Sequence, residues 1–282
     1  MKNRQPIPER SWLLGLAIIG FIVGGFILSN FIRSGDKTFL CSTISSDSRA
    51  SSDNDATPIQ LQAILHYATT PVTPQQSLEE ISVTFDVLKV FAPCNFLVFG
   101  LGRDSLMWTS LNPRGTTIFL EEDPRWVKSV LKNAPTLQVY TVQYRTQLKE
   151  ADNLLASYRN EPDCSYSKAY LRGNFNCKLA LEGLADEIYE KEWDLIMIDA
   201  PRGYFPEAPG RMTAIFSAAI MARSRKGSGV THVFLHDVDR KVEKVFAEEF
   251  LCRKHLVKAV GRLWHFEIPP ASNSSQGGDL FC

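Results

Sequence analysis

Four clusters of residues have the types and spacing that chemistry needs. Phe99-Gly100-Leu101-Gly102-Arg103-Asp104-Ser105 puts two glycines between an apolar run and a helical pattern. Such a turn lets the backbone approach a nucleotide, and Ser105 stands where a dinucleotide fingerprint has its third glycine. About twenty residues on comes Glu121-Glu122-Asp123, where a carboxylate can accept both hydroxyls of a ribose. Asp123 precedes Pro124 and reads as a helix cap, which leaves Glu121 as the ribose ligand and Glu122 as second choice. Together these residues indicate an adenosine-containing cofactor without separating NAD from S-adenosylmethionine. Asp199-Ala200-Pro201-Arg202-Gly203 and His236-Asp237-Val238-Asp239 close two later apolar runs. Methyl transfer to an alcohol needs a general base or a metal ion beside a weakly acidic hydroxyl, and Asp199, His236 and Asp237 offer either. Asp239 reads better as a cap or as a partner of Arg240 and Lys241. Arg202 and Arg211 bracket a loop holding Tyr204 and Phe205, so guanidinium groups could grip an acidic sugar while a ring stacks on it.

The elements that must position these residues alternate regularly. Strand-like runs at 96–99, 116–120, 137–142, 193–198 and 232–235 are each followed by a turn or a helical pattern, and 255–260 and 262–268 form a closing hairpin around Gly261. This order predicts an α/β, doubly wound, mostly parallel seven-stranded sheet with an antiparallel strand at its end. Two amphipathic helices lead in, over 58–67 and from Thr73, with Thr73 as N-cap and Pro74 in the first turn. The polar stretch of about 150–190 reads as an insertion before the fourth strand. Trp108 and Trp193 read as core.

Composition limits the partners. The 282 residues carry 31 basic and 31 acidic side chains, so no positive excess is available for nucleic-acid phosphates. Residues 12–32 are apolar and uncharged over the length of a bilayer-spanning helix, which predicts a signal anchor behind a cytosolic tail of residues 1–11. A Ser- and Asp-rich stem at 33–57 would lead to a lumenal domain at 58–282. Six cysteines without metal-site spacing suit disulfides in an oxidising lumen, with Cys164 and Cys177 the readable pair. Asn273-Ser274-Ser275 is a glycosylation sequon.

Pro58–Tyr67, Cys94 through Gly102 with Asp104 to Trp108, Phe119–Asp123, Trp193–Gly203 and His236–Asp239, taken in this order, resemble the plant glucuronoxylan 4-O-methyltransferases and their relatives in xylan and arabinogalactan synthesis. The resemblance implies a Rossmann-like methyltransferase fold and S-adenosylmethionine-dependent methylation of O4 of glucuronosyl side chains on glucuronoxylan. It also implies a single-pass Golgi membrane protein with its catalytic domain in the lumen, a divalent cation, and association with the xylan synthesis machinery. It places Gly100 and Gly102 at the cofactor's methionine side and Glu121 at its ribose; by position alone Ser105 and Glu122 join the cofactor candidates, and Arg202, Tyr204 and Arg211 the substrate candidates. Asp199, His236 and Asp237 come to the reacting hydroxyl, with Asp199 and Asp237 as metal ligands. Arg202 occupies the position of a lysine in catechol-type methyltransferases, and arginine is a poor proton acceptor, so the base role moves to His236 or a metal-activated oxygen. Glucuronosyl units of arabinogalactan are a rival substrate, and a noncatalytic role in xylan synthesis is a rival function. A short-chain NAD oxidoreductase would carry Tyr-x-x-x-Lys, which is absent.

Overall fold

The computed structural model describes residues 56–71, 74–166, 170–271 and 281–282. The expected tail, anchor and stem, and the sequon at Asn273, lie outside the described residues, and among those described no helix is long and apolar enough to cross a membrane. Seven strands form one sheet: β1 Asn95–Phe99, β2 Thr116–Glu121, β3 Gln138–Thr141, β4 Leu195–Ile198, β5 Thr231–Leu235, β6 Leu256–Val260 and β7 Leu263–Ile268. Their order is β3-β2-β1-β4-β5-β7-β6, with β1 to β5 parallel and β7 antiparallel to both its neighbours. The expected doubly wound, mostly parallel seven-stranded sheet is therefore present.

Buried strand residues are apolar in unbroken runs because helices cover both faces. Phe96, Val98, Phe119, Leu195, Met197 and Phe234 pack into one layer with the helices Pro58–Thr69, Leu78–Phe91, Ser105–Leu111 and Pro124–Asn133. Their alternates Leu97, Phe99, Leu120, Ile196, Ile198 and Leu235 face a larger layer. That layer is centred on the helix Met212–Arg223, of whose twelve residues eleven are buried. The chain leaves β1 towards β2 on one side and returns to β4 on the other. The carboxyl ends of β1 and β4 are thus the topological switch point where an open α/β sheet holds its ligand.

Local chemistry moves one boundary. The second helix begins at Leu78, not after Thr73: Ser77 Oγ accepts from the Glu80 amide at 3.3 Å and Glu80 accepts from the Ser77 amide at 2.8 Å. This reciprocal capping box satisfies two amide donors, which a start at Pro74 would leave to water. The helix after β5 is α-helical over Lys241–Phe246 and continues as a π-helical stretch to Cys252. Asp123 caps the helix Pro124–Asn133 as read, accepting from the Arg125 amide at 3.0 Å. The insertion is held by the Arg145 guanidinium on the carbonyls of Asn174, Phe175, Cys177 and Ala180, and by the expected Cys164–Cys177 disulfide. A second disulfide joins Cys252 and Cys282, while Cys94 is buried and free.

Candidate active site

A cavity of about 590 Å³ opens at the switch point, within the size range of small-molecule sites. The β1 end supplies its floor. Gly100 has φ +122°, and a Cβ there would lie 3.0 Å from that of Ala200, so the turn requires glycine. Gly102 donates to Ser105 Oγ at 2.9 Å, and Ser105 is buried, so it shapes the turn from behind.

Glu121 is buried at the end of β2. Its carboxylate accepts the amides of Leu101 at 3.1 Å and Asp123 at 3.0 Å. Burial above all, then the neighbouring charge of Glu122, pushes its carboxyl up to about 7. Glu122 instead accepts from the Arg202 amide and from its Nε at 3.1 Å, and Arg202 also reaches Asp123 at 3.5 Å. Arg202 is therefore a strap between the β2 and β4 ends, with its guanidinium already committed.

The reacting end is built around Asp199. Its Oδ1 lies 2.9 Å from His236 Nδ1 and 3.2 Å from Arg211 Nη2, and its Oδ2 accepts from Gln76 at 3.3 Å. Burial would raise this carboxyl, but the His236 hydrogen bond and the Arg211 charge outweigh it and hold the group below its usual range. His236 moves the opposite way: burial works against the imidazolium, yet Asp199 and Asp237 raise it. Its ring is 1% exposed and takes no part in the cavity wall. His236 stands behind Asp199, with Glu80 Oε2 at 3.6 Å from its Nε2, so a direct contact with substrate, expected from sequence, is replaced by a contact through Asp199.

Asp237 does face the cavity, at φ +61°, but three guanidinium groups surround it. Arg262 meets Oδ1 at 2.6 Å, while Arg211 and Arg240 meet Oδ2 at 2.8 and 3.0 Å. Ligand atoms of Asp199, His236 and Asp237 lie close enough together for a metal, but a divalent cation would displace or face these three positive charges. The residues do not fit the cation that sequence suggested. Arg211 is 4% exposed and donates to the carbonyls of Asp199 and His236 at 2.6 and 2.7 Å, so it braces both strand ends. Tyr204 is 69% exposed on the cavity rim, in an edge contact with Phe205. Asp239 is exposed and away from the cavity.

Sequence reasoning missed one wall of the site. Asp104 lines the cavity, with Oδ2 accepting from Trp108 Nε1 at 2.7 Å, and burial together with the charge of Asp199 pushes its carboxyl up to about 6. The signal was present as Asp-x-x-x-Trp at one helical turn. Gln76, Arg103 and Arg240 were also missed. Arg240 and the exposed Arg103 line the cavity beside Tyr204.

The family description IRX15/IRX15L/GXM matches residues 79–266. Over 97% of its length the chain is 62% identical to arabinogalactan O-methyltransferase 1 of Arabidopsis thaliana, covering 98% of that protein. Arabinogalactan O-methyltransferase 2 of the same plant is 61% identical, with 99% of this chain and 97% of that protein covered. Glucuronoxylan 4-O-methyltransferase 1, also from Arabidopsis thaliana, is 51% identical over 76% of this chain and 75% of its own length. With two thirds of its residues inside the family description and such identity along nearly its whole length, the chain belongs to the IRX15/IRX15L/GXM family.

Proposed function

We propose that this protein is an S-adenosylmethionine-dependent O-methyltransferase acting on glucuronosyl units of arabinogalactan. The observation that carries the substrate class is the 62% identity, over nearly full length, to an arabinogalactan O-methyltransferase, against 51% over three quarters of the chain for a glucuronoxylan enzyme. The expected xylan preference thereby becomes the second reading. It keeps support from the same family and from the O4 position in that relative's name.

The cavity fits the cofactor by three features. The turn at Gly100 has no room for a Cβ, Glu121 offers a buried carboxylate one strand over, and Asp104 and Asp199 add acidic groups suited to a ligand with a sulfonium and an ammonium group. When bound, S-adenosylmethionine supplies an electrophilic methyl group on a sulfonium. Glu121 takes the ribose hydroxyls, and Asp104 takes the ammonium of the methionine end. Asp199 accepts the hydrogen bond of the sugar hydroxyl and then its proton as the oxygen attacks. Its lowered pKa keeps it ionised at neutral pH at some cost in basicity, and His236, Arg211 and Gln76 fix its orientation. Arg103, exposed at the cavity, sits where a uronate carboxylate can be bound, and Tyr204 where a sugar face can stack. The two disulfides support an oxidising compartment, consistent with an anchored lumenal enzyme of the Golgi.

The test is methyl transfer from labelled S-adenosylmethionine to glucuronosylated arabinogalactan and glucuronoxylan oligosaccharides in parallel. Preferred labelling of the former supports the proposal, and preferred labelling of the latter installs the xylan reading. Cofactor binding with no transfer to any uronic-acid glycan would overturn catalysis in favour of a noncatalytic role.

A further inference from the structure

The other end of β5 gathers three side chains that the active site does not use. The antiparallel register sets His232 opposite Glu267 and Phe234 opposite His265, so the two histidines and the carboxylate meet on one patch of the β5–β7 pair. His232 Nδ1 and His265 Nε2 are 3.0 Å apart, and Glu267 Oε1 lies 3.8 Å from His232 Nδ1. One ligand atom from each of the three falls within 4.8 Å of the others. Tetrahedral zinc with bonds of about 2.0–2.1 Å holds neighbouring ligand atoms about 3.3 Å apart, and the observed spacings bracket that value.

The surroundings set the rings in this orientation. Phe234 stacks on His265 with centroids 4.4 Å apart at 15°, and Phe91 meets His232 edge-on at 4.7 Å. Both rings are 5% exposed. Arg225 and Asp194 act on His232, and Lys258 on His265, from neighbouring segments. A hydrogen bond between two neutral rings accounts for the pair of histidines alone. The carboxylate closing the triangle adds the negative charge that a cation requires, and its half-exposed position gives the cluster a way in from solvent.

We propose that His232, His265 and Glu267 form a three-ligand site for a zinc-type divalent transition ion that clips β5 to the antiparallel strand β7. Two imidazoles and one carboxylate suit zinc or cobalt over the oxygen-seeking calcium and magnesium. The fourth position is open to water. The site lies about 13 Å along β5 from His236, at the opposite edge of the sheet from the cavity.

The 282-residue chain, freed of metal by chelator dialysis, is titrated with zinc against a chromophoric chelator, and with cobalt while the visible absorption is followed. One ion per chain, intense cobalt bands of a four-coordinate site and a higher melting temperature with zinc are expected. Glu267→Gln should weaken zinc binding at least ~10-fold without unfolding the chain, since its side chain is half exposed, and His265→Gln should abolish it. Asp199→Asn, at the cavity, should leave zinc affinity unchanged. Zinc binding below one ion per chain, affinity indifferent to Glu267→Gln, or affinity lost with Asp199→Asn would each overturn the proposal.

Discussion

The two edges of the sheet use the same residue types to opposite ends. At the amino edge polar groups close on one another: Asp194 accepts from the Asn95 amide at 2.9 Å and from Arg225 at 3.0 Å, and Asn112 binds the amide and carbonyl of Cys94 at 3.0 Å. At the carboxyl edge Asp104, Glu121 and Asp199 converge on a cavity, and burial, helped by neighbouring acids, leaves the first two harder to ionise than usual. Pairing neutralises a charge in place, whereas an acid that also faces a cavity can be met there by a ligand. Asp237 shows both behaviours, facing the cavity while Arg211, Arg240 and Arg262 compensate it.

The contrast breaks first at Asp199. Replacing it with Ala should lower methyl transfer by about 10³-fold, roughly 4 kcal/mol of barrier, with the cofactor's Kd changed less than tenfold. Turnover assays beside equilibrium binding read both, and an active variant would remove Asp199 from the reacting centre. At the other edge, Asp194→Ala should cost about 2 kcal/mol of stability, discounted for the partial exposure of the pair, and leave kcat unchanged. Denaturant unfolding checks it, and a loss of turnover in folded protein would mean the edges are coupled.

A pH titration sharpens the comparison further. Asp104 and Glu121 are protonated and neutral well below about 6 and 7, and become anionic above those values, so affinity for a cationic cofactor should rise about tenfold between pH 5.5 and 8. Calorimetry at several pH values measures this, and Glu121→Gln should flatten the upper part of the rise. Flat affinity would assign the binding to neutral contacts. The smallest effect belongs to neither edge: Ser77→Ala should cost about 1 kcal/mol through the lost cap, seen as a shift in the unfolding midpoint.

The sheet was legible because its signals are local. Each strand is a short apolar run, and the Gly100 turn and the Asp123-Pro124 cap announce themselves within a few residues. Ser77-x-x-Glu80 was legible too and lost to the more familiar Thr73-Pro74, although the box satisfies two donors. The site divided differently. Glu121 and Asp199 were visible as acids at strand ends, but the three arginines around Asp237 come from 26, 3 and 25 residues away in the chain, and no spacing rule joins them. His236 was read as reaching the substrate because its type suits a base, and only tertiary packing shows Asp199 standing in front of it.

Both disulfides lie against the larger apolar layer, one within the insertion and one beside Phe281, while among the described residues the opposite layer holds the unpaired Cys94. The cross-links that restrict the unfolded chain therefore serve one side of the sheet. A gentle reductant becomes a one-sided tool, raising hydrogen exchange in the insertion and the stretch around Cys252 while the layer of Trp108 keeps its protection.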